Sequence, residues 1–391
     1  MVVAETGGRA VGRWGLTAVA LAALGGPLAL AALYAPHMVA GLDGSSGFVA
    51  LAAAVVFAFP IYIWVRYARH SGSGGGLYGY VRAAAGPRVG YAQAGLWLLS
   101  YALYLTYTTE YVVYDILTSV FPGIGPARPW LEVAIPILVA GVMLAGARVA
   151  IAVTAVIGVA QLALLIVLAV VTLRHGAQAS AFQPVGPHGG LADAAAGIGL
   201  LYVCGSLPLY LGGEASRPTR TMPWALMVAY VVTAVAVTVA VIGYATNPAF
   251  TRAEIPGVSV AQVFAGHGLA VAVGVGVAVS VIGVMLVEYL AVTRLTRALT
   301  GWSTRTITAV VAVLVVASGP VSLIDPDKFY DTLIRPSLIA LWLSQLIGVV
   351  VFPWFVRRHG RLRATDVVVT LVAVAILGYG LYGSIAHQIA S

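Results

Sequence analysis

Carboxylates are scarce in this 391-residue chain: 13 Asp and Glu stand in a sequence that is 61% hydrophobic and 9% charged. An acid inside a long apolar run is costly to bury, and is therefore a candidate for chemistry. Glu288 is the clearest case, six residues before Arg294 within such a run. In a continuous helix it sits about 9 Å deeper than that arginine. It can act as counter-ion to a cationic ligand or as a proton site, or it can be a structurally paired acid near the inner interface; both readings stand. Glu110 closes the stretch Tyr104-Leu105-Thr106-Tyr107-Thr108-Thr109-Glu110. Hydroxyl donors surround it, which favours a satisfied structural acid and leaves a coupling or counter-ion role as the alternative. Asp115 is expected to be solvated, Asp193 to cap a helix, and Glu214 to pair with Arg217 and Arg220 at an inner mouth.

Several other chemistries lack their residues. His37, His70, His175, His188, His267, His359 and His387 fall in loops or near the ends of apolar runs, with no pair suited to haem and no cluster with carboxylates suited to a metal. The one cysteine, Cys204, excludes an internal disulfide framework and a thiolate cluster. Ser206 follows Gly205 but has no G-x-S-x-G elbow and no embedded His or Lys base. The Gly-rich loop at 71–90 lacks the Lys-Ser/Thr of a phosphate cradle. No catalytic residue, metal or cofactor is expected. The net charge of +8 is assigned to arginines beside anionic lipid rather than to nucleic-acid binding.

The elements that must position these groups are membrane helices, since mean hydropathy is +0.98 and long apolar runs recur throughout. No cleavable signal peptide is read. Eleven spans are predicted, at 14–40, 48–66, 89–120, 131–146, 149–173, 191–212, 223–243, 259–299, 305–323, 329–356 and 365–387. The third and eighth are longer than a bilayer requires and are expected to tilt or protrude. With the N-terminus inside, only Arg128, Arg174, Arg252, Lys328 and Arg335 of the 21 basic residues lie outside. That asymmetry supports the orientation, and eleven spans then place the C-terminus outside.

Two spans are interrupted at their middles. The sixth carries Gly205-Ser206-Leu207-Pro208, and the first carries Gly25-Gly26-Pro27. Backbone freed at that depth must line a protein cavity, and broken helices of this kind point to a transporter's binding site; a packing kink is the plainer alternative. The two breaks are five spans apart, which suggests a five-plus-five inverted repeat. Tyr202, Cys204, Gly205, Ser206 and Leu207 are then expected at the site, with Gly25, Gly26 and Pro27. Trp97, Tyr101, Tyr104 and Tyr107 are further aromatic candidates, with Tyr202 preferred because it precedes the break by one turn. A helix start after the break is expected to favour thiolate at Cys204.

Three stretches resemble the amino acid–polyamine–organocation (APC) superfamily of secondary transporters. Gly75-Gly76-Leu77-Tyr78-Gly79-Tyr80-Val81-Arg82 with Gly86-Pro87-Arg88-Val89-Gly90 is similar to the family's motif before its third helix. Glu214-Ala215-Ser216-Arg217-Pro218-Thr219-Arg220-Thr221-Met222-Pro223 resembles the motif after helix six, and Thr293-Arg294-Leu295-Thr296-Arg297-Ala298-Leu299 the one after helix eight. The resemblance implies an all-α integral membrane protein of the LeuT-type fold, with substrate between broken helices one and six. It implies a cytoplasmic tail at 1–13, a core at 14–363 with repeats at about 14–173 and 191–356, and an added C-terminal helix at 364–391.

The departures bear on substrate. The family's glycine-rich segment of helix one falls on Ala29-Leu30-Ala31, whereas the glycines here come earlier and are followed by Pro27, which has no N–H. An acid common near Cys204-Gly205-Ser206 is missing. A lysine found in some proton-coupled members falls on Gln161, and a neutral amide carries no coupling charge. The resemblance implies a permease in the inner membrane of a prokaryote, with a small-molecule substrate. That substrate is expected to be an amino acid or related small amine, moved by alternating access. H+ is expected as coupling ion rather than Na+, with exchange open. A polyamine or organic-cation carrier is the alternative, and a sensor or enzyme on the same fold a further one.

Overall fold

In lipid a single chain satisfies its own backbone most simply as helix. In the computed structural model, which describes residues 11–40, 42, 45–70, 75–175, 182, 197, 202–245 and 247–390, helix accounts for nearly all of them. The only β-pairing among the described residues is an isolated parallel bridge between Val11 and Ala215.

The chain begins with α1 (Arg13–Ala23) and, after a break, α2 (27–38), whose middle Leu30–Tyr34 widens to a π-helix. Then come α3 (Ser46–His70), the short α4 (Gly76–Ala85) and α5 (Pro87–Glu110), which runs on through a π-helical stretch, Tyr111–Leu117, to Val120. The first half closes with α6 (Arg128–Leu144) and α7 (Ala147–His175). The second half contains a 3-10 helix, Val203–Glu214, followed by α8 (Pro218–Ala240), α9 (Pro256–Ala265) and α10 (His267–Thr300). It ends with α11 (Thr304–Ser322), α12 (Pro326–Val350), α13 (Phe352–His359) and α14 (Ala364–Ala390).

Among the described residues, nine helical stretches are long and apolar enough to cross a membrane. Two of the eleven expected spans are not among the nine. The third is present as continuous helix over 87–120 but is rich in Tyr and Thr. The sixth is described continuously only from Tyr202 onward, so its first half, including Asp193, lies outside the described residues except for Gly197.

One boundary differs from expectation. The eighth span, read as a single run over 259–299, is two helices meeting at Gly266, whose φ of 86° is left-handed. Hydropathy continues across that point, so the turn is set by one glycine's backbone freedom and not by any polar interruption.

The first and eighth spans form the centre and are buried on most sides, while α6, α7 and α14 face outward over most of their length. Small residues permit this. A Cβ on Gly158 of α7 would press on the carbonyl of Ala18, one on Gly283 of α10 on Ile157, and one on Gly257 of α9 on Ala32. Helix backbones that approach so closely gain dispersion contacts where lipid gives no hydrophobic drive.

Candidate functional site

The first break lies at Gly25-Gly26. Their φ values are 79° and 66°, and Pro27 opens the next helix. Pro27 has no N–H to offer the carbonyl of Ala23, four residues back, while the Gly26 N–H still donates to the carbonyl of Ala22 at 3.2 Å. Ala29, Leu30 and Ala31 lie beyond the break, helical and fully or almost fully buried, with Leu30 and Ala31 in the π-helical turn. The interruption is therefore at the glycines, and the family's usual position is wound.

The second break is a twelve-residue 3-10 helix, Val203–Glu214, where an α-helical second half was expected. Cys204 lies in the first turn of that 3-10 helix, at the end where the N–H groups of a helix concentrate partial positive charge. The two breaks touch: a Cβ on Gly205 would meet Leu24 at 3.2 Å and Ile61 at 2.7 Å. Ser206 and Leu207 are fully buried, and the Ser206 hydroxyl accepts from Nε2 of Gln345 in α12 at 2.8 Å.

Gln161 of α7 comes to the first break. Its Oε1 accepts from the Ser280 hydroxyl of α10, and a Cβ on Gly26 would run into that same pair. The Gln161 Nε2 is buried with no hydrogen-bond partner among the described residues. Three elements thus meet around a neutral amide and a hydroxyl.

Glu288 is 0% exposed, and neither carboxylate oxygen has a hydrogen-bond partner among the described residues. Tyr101, Tyr104, Tyr107 and Cys204 all lie within its electrostatic reach. These tyrosines belong to a continuous aromatic column. Ring centroids run from Tyr210 to Trp97 (4.3 Å), Tyr101 (4.2 Å), Tyr104 (6.4 Å) and Tyr107 (5.2 Å). The column continues to Tyr330 (5.2 Å), Tyr111 (5.5 Å) and Tyr34 (6.1 Å). Cys204 and Tyr104 are half-buried although they flank a fully buried carboxylate, so they border space inside the bundle. Tyr202 points elsewhere, packing on Phe57 of α3 and Tyr230 of α8.

Glu110 is likewise buried, with both oxygens lacking a hydrogen-bond partner among the described residues. The hydroxyls expected to satisfy it turn away: Thr106 and Thr108 donate to backbone carbonyls, and Thr109 points to the Met285 sulfur. Nearby, Arg128 donates to Glu132 at 2.5 Å and lies 4.1 Å from the centre of the Tyr114 ring, and Ser322 donates to the other Glu132 oxygen at 2.5 Å. Asp115 is exposed.

Contacts tie the end of the 3-10 helix to the chain before α1 and to α10. The Val11 N–H donates to the carbonyl of Glu214 at 2.8 Å, and the Ser216 N–H to that of Val11 at 3.0 Å. The Glu214 carboxylate pairs with Arg294 of α10, and not with the expected Arg217 and Arg220. The latter two belong to the turn into α8 and its first residues, and Arg294 reaches across from α10.

A bundle of membrane helices, with touching breaks in its first and sixth spans beside a buried acid and an aromatic column, is the architecture of a transporter. Solved structures agree at the level of fold. The chain aligns over 94% of its length with 97% of MhsT, crystallised with L-phenylalanine, at a TM-score of 0.62 and 12% identity. It aligns over 96% of its length with 87% of the manganese transporter of Eremococcus coleocola, crystallised with an aromatic bis-isothiourea substituted compound, at a TM-score of 0.65 and 12% identity. Both are LeuT-fold transporters. No curated protein matches the chain. The sequence model of the amino acid permease family matches residues 11–301, and the chain belongs to that family, within the APC superfamily.

Proposed function

We propose that this permease is a secondary active transporter of an amino acid or related small amine, with the substrate's ammonium group held between Glu288 and the tyrosines of α5. Glu288 carries the reading: a buried carboxylate without a donor costs several kcal/mol unless something charged arrives to pair with it. A cation flanked by aromatic faces and a carboxylate gains from both. The substrate carboxylate has a weaker cradle, because Pro27 lacks an N–H and that of Gly26 is already engaged. That observation favours, as a second reading, an organic cation or polyamine without a carboxylate requirement.

Alternating access would work by reopening the inner closure at Val11, Glu214 and Arg294 while the outer column seals, and the reverse. The Gln161–Ser280 pair has no titratable proton to exchange, so a coupling proton would be carried by Glu288 or Glu110. H+ is the coupling ion in this reading, or exchange replaces coupling. The chain would lie in the inner membrane of a prokaryote with its N-terminus cytoplasmic and its C-terminus outside. Uptake into proteoliposomes, measured across amino acids and matched amines under imposed pH or Na+ gradients, tests this. Uptake of amino acids or amines that follows the pH gradient supports it; Na+-driven uptake overturns the coupling assignment, and chemical conversion of the solute overturns transport.

A further inference from the structure

At the cytoplasmic end of α3 the protein surrounds a cavity of about 480 Å³ with Arg66, His70, Arg361, Leu362, Arg363 and Ala364. Three arginines line it, and one carboxylate offsets them. Asp366 is fully buried and accepts from Arg66 at 3.4 Å, from the Tyr62 hydroxyl at 3.0 Å and from the Arg363 N–H at 3.0 Å. Two positive charges are left in excess, together with His70, whose Nδ1 donates to the carbonyl of Arg66 at 2.8 Å. The Nε of Arg66 is buried with no hydrogen-bond partner among the described residues.

A second hollow, of about 270 Å³, runs between α3 and α8 and shares Arg66 with the first. Ala58, Ile61, Val65, Met227 and Val231 line it, and the last two are 48% and 57% exposed on the apolar flank of the bundle. A basic hollow at the inner interface that continues into an apolar groove along the membrane has the shape and charge of one kind of molecule. We infer that this is a binding site for an anionic phospholipid, with its phosphate among Arg66, Arg361 and Arg363 and an acyl chain in the groove between α3 and α8. A free phosphate would fill only the basic half and gain nothing from the groove. Juxtamembrane arginines attract anionic head groups in this way, and here a walled cavity adds a fixed position. The lipid would bridge α3 and α8 to the loop before α14.

The test uses the full-length protein in neutral detergent and follows thermal unfolding during titration with phosphatidylglycerol, phosphatidylcholine of the same chains, or inorganic phosphate. Phosphatidylglycerol is expected to raise the midpoint saturably, with the other two giving little. Replacing two exposed charges, Arg361→Gln with Arg363→Gln, is expected to weaken its apparent affinity roughly 30-fold, about five-fold per charge. Val231→Trp, which plugs the groove on a lipid-facing position, is expected to remove the shift even if the double variant does not fold. Equal stabilisation by phosphatidylcholine, a full shift from phosphate alone, or unchanged phosphatidylglycerol affinity in either variant would overturn the site.

Discussion

An acid buried without a donor lowers stability, so its neutral isostere separates function from structure by sign. Glu288→Gln should leave the protein folded, with a thermal midpoint equal to or above that of the unaltered chain, and reduce concentrative uptake more than 100-fold, an order of magnitude typical of a lost charge–charge contact. A fall in midpoint with uptake retained would make Glu288 a structural residue. Cys204 gives a second readout. A membrane-permeant thiol reagent should block uptake, saturating substrate should slow the block, and Cys204→Ala should be active and resistant; labelling at one rate with and without substrate would count against its lining the site. Glu288 is legible in the sequence because an acid stands out in an apolar run. The column around it is not. Trp97, Tyr101, Tyr104, Tyr107 and Tyr111 make one helix face, but a membrane interface explains such a stripe equally well, and nothing local shows that Tyr210, Tyr330 and Tyr34 complete it. Tyr202 was favoured by its nearness to the break along the chain, whereas side-chain direction in a 3-10 turn aims it at α3 and α8 instead.

Among the elements, the break in the first span makes the firmest steric prediction. At Gly26 any side chain meets a left-handed backbone worth about 1–3 kcal/mol of strain, and its Cβ would overlap Ser280 and Gln161. Gly26→Ala should lower the thermal midpoint and cut uptake at least ten-fold. Adding Ser280→Ala should recover part of the stability and not all of it, because the overlap with the hydroxyl goes while the Gln161 contact and the strain stay; full recovery would mean that both are free to relax. Both breaks were readable from Gly and Pro inside apolar runs. Their form was not, since a sequence that permits an interruption does not choose between a two-residue turn and twelve residues of 3-10 helix. The motifs proved more informative than their residue types alone. Gly76 gives way to the ring of Tyr210, at a φ of 54°. Glu214 and Arg294, from two separate motifs, form one ion pair.

For the molecule as a whole, that ion pair and the Val11 bridge are, in the proposed orientation and mechanism, the inner closure, so weakening them should move the population toward the inward-open state. Arg294→Glu is expected to raise labelling of Cys204 from the cytoplasmic side and to slow uptake several-fold. The exchange of charges, Arg294→Glu with Glu214→Arg, should restore both, and labelling that does not change in the single variant would remove the pair from the gate. The 3-10 helix of the sixth span adds a mechanical property to this closure. Each residue of such a helix rises about 2.0 Å, against 1.5 Å in an α-helix. Rewinding the twelve residues Val203–Glu214 to α would therefore shorten the segment by about 6 Å, close to one α-helical turn. The segment is an extended strut whose length can change as its N–H groups trade carbonyls three residues back for carbonyls four residues back. A contraction of that size would pull Glu214 away from Val11 along the strut's own axis, a stroke generated by pitch and not by hinge rotation.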